Sequence, residues 1–128
     1  MFILKNEIKE MIMKLLVACA LLLVSFGALV NFYDGNDLRL WSMALTKSNL
    51  GNYISSREAA DASLFQGYVA GVYEYGESVY FCSPEKLRLI QLTDTVTNFI
   101  NEHPDLRNKP AANLVEQALM DSFPCNKK

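Results

Sequence analysis

The side chains of this chain that could carry chemistry are few: three cysteines (Cys19, Cys82, Cys125), a single histidine (His103), a spaced set of glutamates (Glu74, Glu77, Glu85) and a run of tyrosines (Tyr68, Tyr73, Tyr75, Tyr80). A thiol with His103 as its base would make a nucleophile. His103 stands in Glu102-His103-Pro104, however, where a helix must end, and a histidine there more often bonds nearby carbonyls, favoured by the helix dipole. Two cysteines and one histidine at these separations match no zinc pattern. The glutamates could do acid–base work only if buried or facing one another, and around Gly76 they read as solvated. No phosphate loop, nucleotide fingerprint, zincin helix or nucleophile elbow is present. The inventory therefore predicts no catalytic set, no metal and no cofactor. What remains is recognition, for which tyrosine offers large contact area at little entropic cost; the other reading of the tyrosines is the edge of the core.

The elements that hold these residues must come from one domain, because the chain is 128 residues long. A formal net charge of −2 is not the footprint of a phosphate-tracking protein, so no nucleic-acid partner is expected. Hydrophobic residues make up 51% and charged residues 20%, which excludes compositional disorder.

Residues 15–30 are all apolar or small, with Lys14 before them and Asp34 the first charge after them. The run reads as a secretory signal, residues 1–27, with Ser25-Phe26-Gly27 supplying small residues for cleavage near Gly27. Met13-Lys14 resembles a second start. The alternatives are an uncleaved anchor and a lipoprotein signal at Leu16-Val17-Ala18-Cys19, although most of the apolar region follows that cysteine. Removing residues 1–27 leaves 28–128 with a net charge of −3 and no stable membrane insertion. It also leaves two cysteines, and an even count in an exported chain reads as one disulfide, Cys82–Cys125. Closing that loop would restrict the unfolded chain by about 4 kcal/mol in the chain-entropy model.

Four helices are predicted in residues 28–128. The first starts after Asp34-Gly35-Asn36 with Asn36 as N-cap, and carries Leu38, Trp41, Ala44 and Leu45 at helical spacing. The second opens on the capping box Ser55-Ser56-Arg57-Glu58, presents Ala59, Ala62, Phe65, Val69 and Val72 on one face, and stops at Gly76 as a left-handed cap. Gly67 and Gly71 together cost it about 2 kcal/mol of propensity. Close approach of another backbone would account for them, either in internal packing or at a dimer or partner seam. The third helix is expected from Ser83-Pro84 with the stripe Leu89, Leu92, Val96, Phe99 and Ile100. The last opens at Asn108-Lys109-Pro110, buries Ala111, Leu114, Val115, Ala118 and Leu119, and stops at Pro124. The fold class is all-α: a small bundle of about four helices with one disulfide.

The order Asp34-Gly35-Asn36, Gly67-Tyr68-Val69-Ala70-Gly71-Val72, Phe81-Cys82-Ser83-Pro84, Gln91, Phe99-Ile100-Asn101-Glu102-His103-Pro104, Pro110-Ala111-Ala112 and Ala118-Leu119 through Ser122-Phe123-Pro124-Cys125 resembles the Rap/Tai family of immunity proteins over residues 34–125. The resemblance implies an all-helical periplasmic homodimer without enzymatic activity, one that binds and blocks a peptidoglycan amidase effector delivered by type VI secretion. Many relatives carry a second cysteine pair, at places that hold Ser42 and Phe65 here. A plug for an amidase that acts on acidic stem peptides could present a carboxylate or a tyrosine, which points to Glu74, Tyr75, Glu77, Tyr80 and Glu85 on the 74–86 connection. The 47–56 loop, with Asn49, Asn52 and Tyr53, is the competing surface. The alternative function is a periplasmic structural or chaperone-like helical protein with no toxin partner.

Overall fold

The structure, a computed structural model, describes residues 1–24 and 31–126, and the chain divides into two compact units, Met1–Val30 and Asn31–Lys128. The first unit is the helix α1 (Phe2–Val24), which carries an i,i+4 pair between Lys14 and Glu10 and the free thiol of Cys19. The cleavage site expected near Gly27 lies outside the described residues. Among the described residues, no helix is long and apolar enough to cross a membrane.

The second unit holds α2 (Gly35–Asn49), α3 (Ser56–Gly76), α4 (Leu89–Glu102) and α5 (Ala111–Ser122), with a 3-10 turn at Pro104–Leu106. The apolar stripes read from the sequence form its core: Leu38, Trp41 and Leu45 from α2, Phe65 and Val69 from α3, Leu92, Val96 and Ile100 from α4, Leu114, Val115 and Leu119 from α5. Two stripe members differ from expectation: Ala59 and Leu89 are exposed, because each sits in the first turn of its helix, beyond the packed length.

α2 begins two residues earlier than expected. Asp34, not Asn36, is the N-cap: its carboxylate accepts the Asn36 and Asp37 amides at 2.8 and 3.2 Å, and Asp37 reaches back to the Asp34 amide at 2.9 Å. Asn36 instead donates its side-chain amide to the Arg107 carbonyl at 3.2 Å. The same crossing continues through Gly35 N–H to the Lys109 carbonyl at 3.1 Å and Ala111 N–H to the Tyr33 carbonyl at 3.0 Å. Gly35 permits it, since a Cβ there would lie 2.5 Å from Leu114 Cδ1 and 2.7 Å from the Arg107 Cα. Tyr33 then lays its ring edge-on to Trp41, with centroids 4.8 Å apart.

The capping box at Ser55 forms as read: Glu58 N–H donates to Ser55 Oγ at 3.2 Å, and Ser55 N–H donates to Glu58 Oε2 at 2.8 Å. The other carboxylate oxygen takes the Lys47 ammonium at 2.7 Å, which joins the end of α2 to the start of α3. Led by that hydrogen bond and by the Ser55 amide, these contacts hold the Glu58 carboxyl down at about 2, from an ordinary 4.5.

Gly67 and Gly71 are not internal packing positions. Both are exposed, and nothing lies within 4 Å of where a Cβ would stand on either. Phe65 and Val69 on the opposite face fill the contact with the bundle. Nor is Gly76 a left-handed cap; it is the buried last residue of α3, and the left-handed turn falls on Ser78 at φ 67°.

Two predictions follow from these placements. Gly67→Ala and Gly71→Ala should each stabilise the folded chain by roughly 1 kcal/mol, the propensity difference in an open helical site, whereas Gly76→Ala, whose methyl would stand 2.6 Å from Phe81 Cε1, should destabilise it; urea midpoints read by Trp41 fluorescence check both signs. The depressed Glu58 carboxyl contributes stability that is fully present above 4.5 and is lost as pH falls towards about 2. The stability gap between wild type and Glu58→Gln should therefore be constant near neutrality and close across that acid window, as followed by melting at stepped pH.

Candidate functional site

α3 ends at Gly76 and the chain turns back on itself at once. Val79 and Tyr80 N–H both donate to the Gly76 carbonyl, at 3.1 and 2.9 Å, and Ser78 N–H donates to the Phe81 carbonyl at 2.8 Å. Phe81 can enter the core because Gly76 has no side chain: the ring occupies the space a Cβ would need, is 0% exposed, and stacks on Tyr73 at 5.8 Å.

Beyond Phe81 the segment is tethered rather than helical. Cys82 N–H donates to the Phe123 carbonyl at 2.8 Å, and Cys82 is disulfide-bonded to Cys125, with Cα atoms 4.8 Å apart. The pairing read from the sequence is thus present, and no nucleophile can be drawn from these thiols. Ser83 N–H donates to the Glu77 carboxylate at 3.1 Å, and Ser83 Oγ shares a 2.8 Å hydrogen bond with the Tyr73 phenol. These bonds correct the expected helix start at Ser83-Pro84. With Ser83 held by Tyr73 and Glu77, the chain bends at Pro84 and Glu85 and α4 begins at Leu89, where the Gln91 side chain accepts the Arg88 amide at 2.8 Å.

The sequence-predicted site residues divide accordingly. Tyr75 and Tyr80 are brought together, their ring centroids 6.3 Å apart and 77% and 43% exposed, with Val79 at 68% between them. Glu77 is half-buried and serves the loop through Ser83. Glu74 and Glu85 are exposed and take part in no ion pair among the described residues. Glu116 of α5, which the sequence reading did not single out, acts on Tyr80 through its charge. The phenol of Tyr80 is pushed above its ordinary pKa first by the neighbouring Tyr75 and also by the Glu116 charge. Nothing in the sequence marks Glu116, because that influence arises only in the folded chain.

His103 is a local structural residue: Nδ1 bonds the Phe99 carbonyl at 2.8 Å, and the ring stacks on Phe99 at 4.2 Å. Tyr68 is half-buried beside Tyr33 and Trp41; burial raises its phenol against a backbone hydrogen bond at Ala112. The competing 47–56 loop borders a shallow groove of about 310 Å³ between α2 and α4, lined by Met43, Thr46, Leu50, Asn52, Thr97 and Asn101. No group of three or more His, Cys, Asp or Glu that could hold a metal ion occurs among the described residues.

The family model of the Rap1a immunity proteins matches residues 34–125, from the N-cap of α2 to the second cysteine of the disulfide. The chain belongs to the Rap1a immunity protein family. No curated protein matches it. Membership brings with it an effector–immunity role and a toxin effector as the partner class.

Replacing both Cys82 and Cys125 with serine should lower the melting temperature by about 10 °C or more, since a native disulfide contributes about 2 kcal/mol or above and each kcal/mol shifts a domain of this size by roughly 4–8 °C. Trp41 fluorescence provides the melting curve, and an unchanged midpoint would show that the covalent link is dispensable to the fold.

Proposed function

We propose that this protein is a periplasmic immunity protein: exported by its N-terminal apolar segment, dimeric, and acting without catalysis by binding a type VI secreted peptidoglycan amidase and closing its active site. The observation that carries the reading is the outward pair Tyr75 and Tyr80, held on a turn whose base is fixed by Phe81 and by Cys82–Cys125. A contact loop ordered before binding loses little entropy when it docks, and exposed tyrosines are suited to act as the few side chains that dominate an interface. The acidic balance of residues 28–128 suits a basic target surface, where charge complementarity chiefly raises the association rate.

The test is capture of an amidase by the disulfide-bonded protein, followed by inhibition of peptidoglycan cleavage and by growth protection. Tyr75→Ala and Tyr80→Ala should each weaken binding by about 2 kcal/mol or more, roughly 30-fold in Kd, with little change in melting temperature. Glu77→Ala should instead lower the melting temperature, because it removes the acceptor of the Ser83 amide. If both tyrosine variants bind and protect like wild type, the docking face is not this loop.

A further inference from the structure

Between Ser83 and α4 the chain lies on the surface with its backbone unbonded. Pro84 and Glu85 form a bend, residues 86–88 have no regular structure, and Arg88 is extended at φ −78° and ψ 148°. Pro84, Glu85, Lys86 and Arg88 are exposed, while Leu87 packs against the core. Among the described residues, the backbone groups of residues 84–87 take part in no hydrogen bond: the bonds before them end at Ser83 and those after them begin at Arg88. The Arg88 carbonyl accepts the Gln91 and Leu92 amides at 3.0 and 3.2 Å. Lys86 makes no ion pair. The other basic side chains of residues 31–126 stand differently. Arg39, Lys47 and Arg57 lie within α2 and α3. Arg107 is half-buried and donates twice to the Ile100 carbonyl, at 3.1 Å each. Lys109 precedes Pro110, and its carbonyl accepts the Gly35 amide at 3.1 Å.

We propose that the Lys86–Leu87 bond is a cleavage site for a serine protease of lysine and arginine specificity, and that Cys82–Cys125 keeps the cut protein in one piece. Exposed, unbonded loops are where folded chains are nicked. An enzyme of this class seats a cationic side chain in a pocket that ends in a carboxylate and draws the scissile carbonyl into an oxyanion hole. Lys86 offers an unpaired cation and a carbonyl with no partner to give up. Arg88 offers the charge, but its carbonyl is already held by two amides of α4. Hydrolysis breaks the C–N bond between the two residues; water supplies the hydroxyl that completes the Lys86 carboxyl group and the proton taken by the new Leu87 amine. The cut leaves α2 and α3 on one piece and α4 and α5 on the other. Cys82 stays with the first piece and Cys125 with the second, so the disulfide spans the break. The buried faces of all four helices share one core, which holds the two pieces together as well. The proposal is independent of which partner the protein binds.

Brief treatment of the full, disulfide-bonded chain with a trace of trypsin, with the fragments identified by mass, tests both halves of the proposal. Within residues 31–126 the first bond cut should be Lys86–Leu87. The product should run as one band on a denaturing gel without reductant and separate into its pieces with reductant. Lys86→Gln should slow that first cut roughly tenfold or more, while Arg39→Gln should leave its rate unchanged. The nicked protein, followed by Trp41 fluorescence, should still melt in one transition. Reductant added to it under native conditions should lower the midpoint and make it fall further on dilution, because the pieces are then two molecules. A first cut at any other bond of residues 31–126, or a rate unaltered by Lys86→Gln, would overturn the cleavage site. A nicked chain that has no melting transition, or whose midpoint ignores reductant and dilution, would overturn the role given to the disulfide.

Discussion

The ring of Phe81 in the space above Gly76 is the contact on which the candidate site depends. Burying a phenylalanine is worth about 1.5–3 kcal/mol, and here the burial also sets direction. Because the ring must enter the core beside the last residue of α3, the chain reverses within four residues. The backbone bonds of that reversal converge on the Gly76 carbonyl, and Ser78 takes the left-handed conformation, which costs a non-glycine residue roughly 1–2 kcal/mol. Cys82 arrives beside the end of α5 as a consequence, where the Phe123 carbonyl and Cys125 receive it. Tyr75 lies one position before the buried glycine and Tyr80 one before the buried ring, so both point away from the core.

A second clasp holds the other end of the bundle. Gly35 lets the start of α2 pass against Arg107 and Leu114, and three main-chain hydrogen bonds, with a fourth from the Asn36 side chain, join residues 33–36 to residues 107–111. Ser42 and Phe65 are both buried, on α2 and α3 respectively. The attachment of α2 to α3 therefore rests on packing and on Lys47–Glu58 across the intervening turn. Neither clasp is a surface salt bridge of the kind that contributes little; each relies on main-chain bonds and a glycine that admits a close neighbour.

The helices and their buried faces were legible in the sequence because each depends on local spacing: Leu38 to Leu45, Ala62 to Val69, Leu92 to Ile100 and Leu114 to Leu119 follow the helical period. The Ser55–Glu58 capping box and the Cys82–Cys125 pairing were legible for the same reason, resting on residue type and count. What was not legible depends on partners distant in sequence. Asn36 looked like the cap until Arg107 claimed its side chain. Ser83-Pro84 has the form of a helix start, but Tyr73 and Glu77 occupy Ser83. Gly76 has the form of a left-handed cap, and its smallness serves a ring five residues later. Gly67 and Gly71 suggested a close neighbour that the monomer does not supply. Glu77, grouped with the contact residues by its charge, turned inward to hold the loop.

This division bears on what kind of work the molecule can do. Glu58, Glu77 and His103 are engaged in local structure, while Glu74 and Glu85 lie exposed on the surface. Every buried side-chain nitrogen or oxygen among the described residues has a partner, so the interior holds no unsatisfied group waiting for a substrate. The unsatisfied chemistry lies outside, where apolar rings and uncompensated carboxylates meet water at one end of a stiff bundle. Such a surface gains most from contact with a partner that can cover the rings and neutralise the charge together. The buried Phe81 ring and the Cys82–Cys125 disulfide beneath it hold that surface in one geometry.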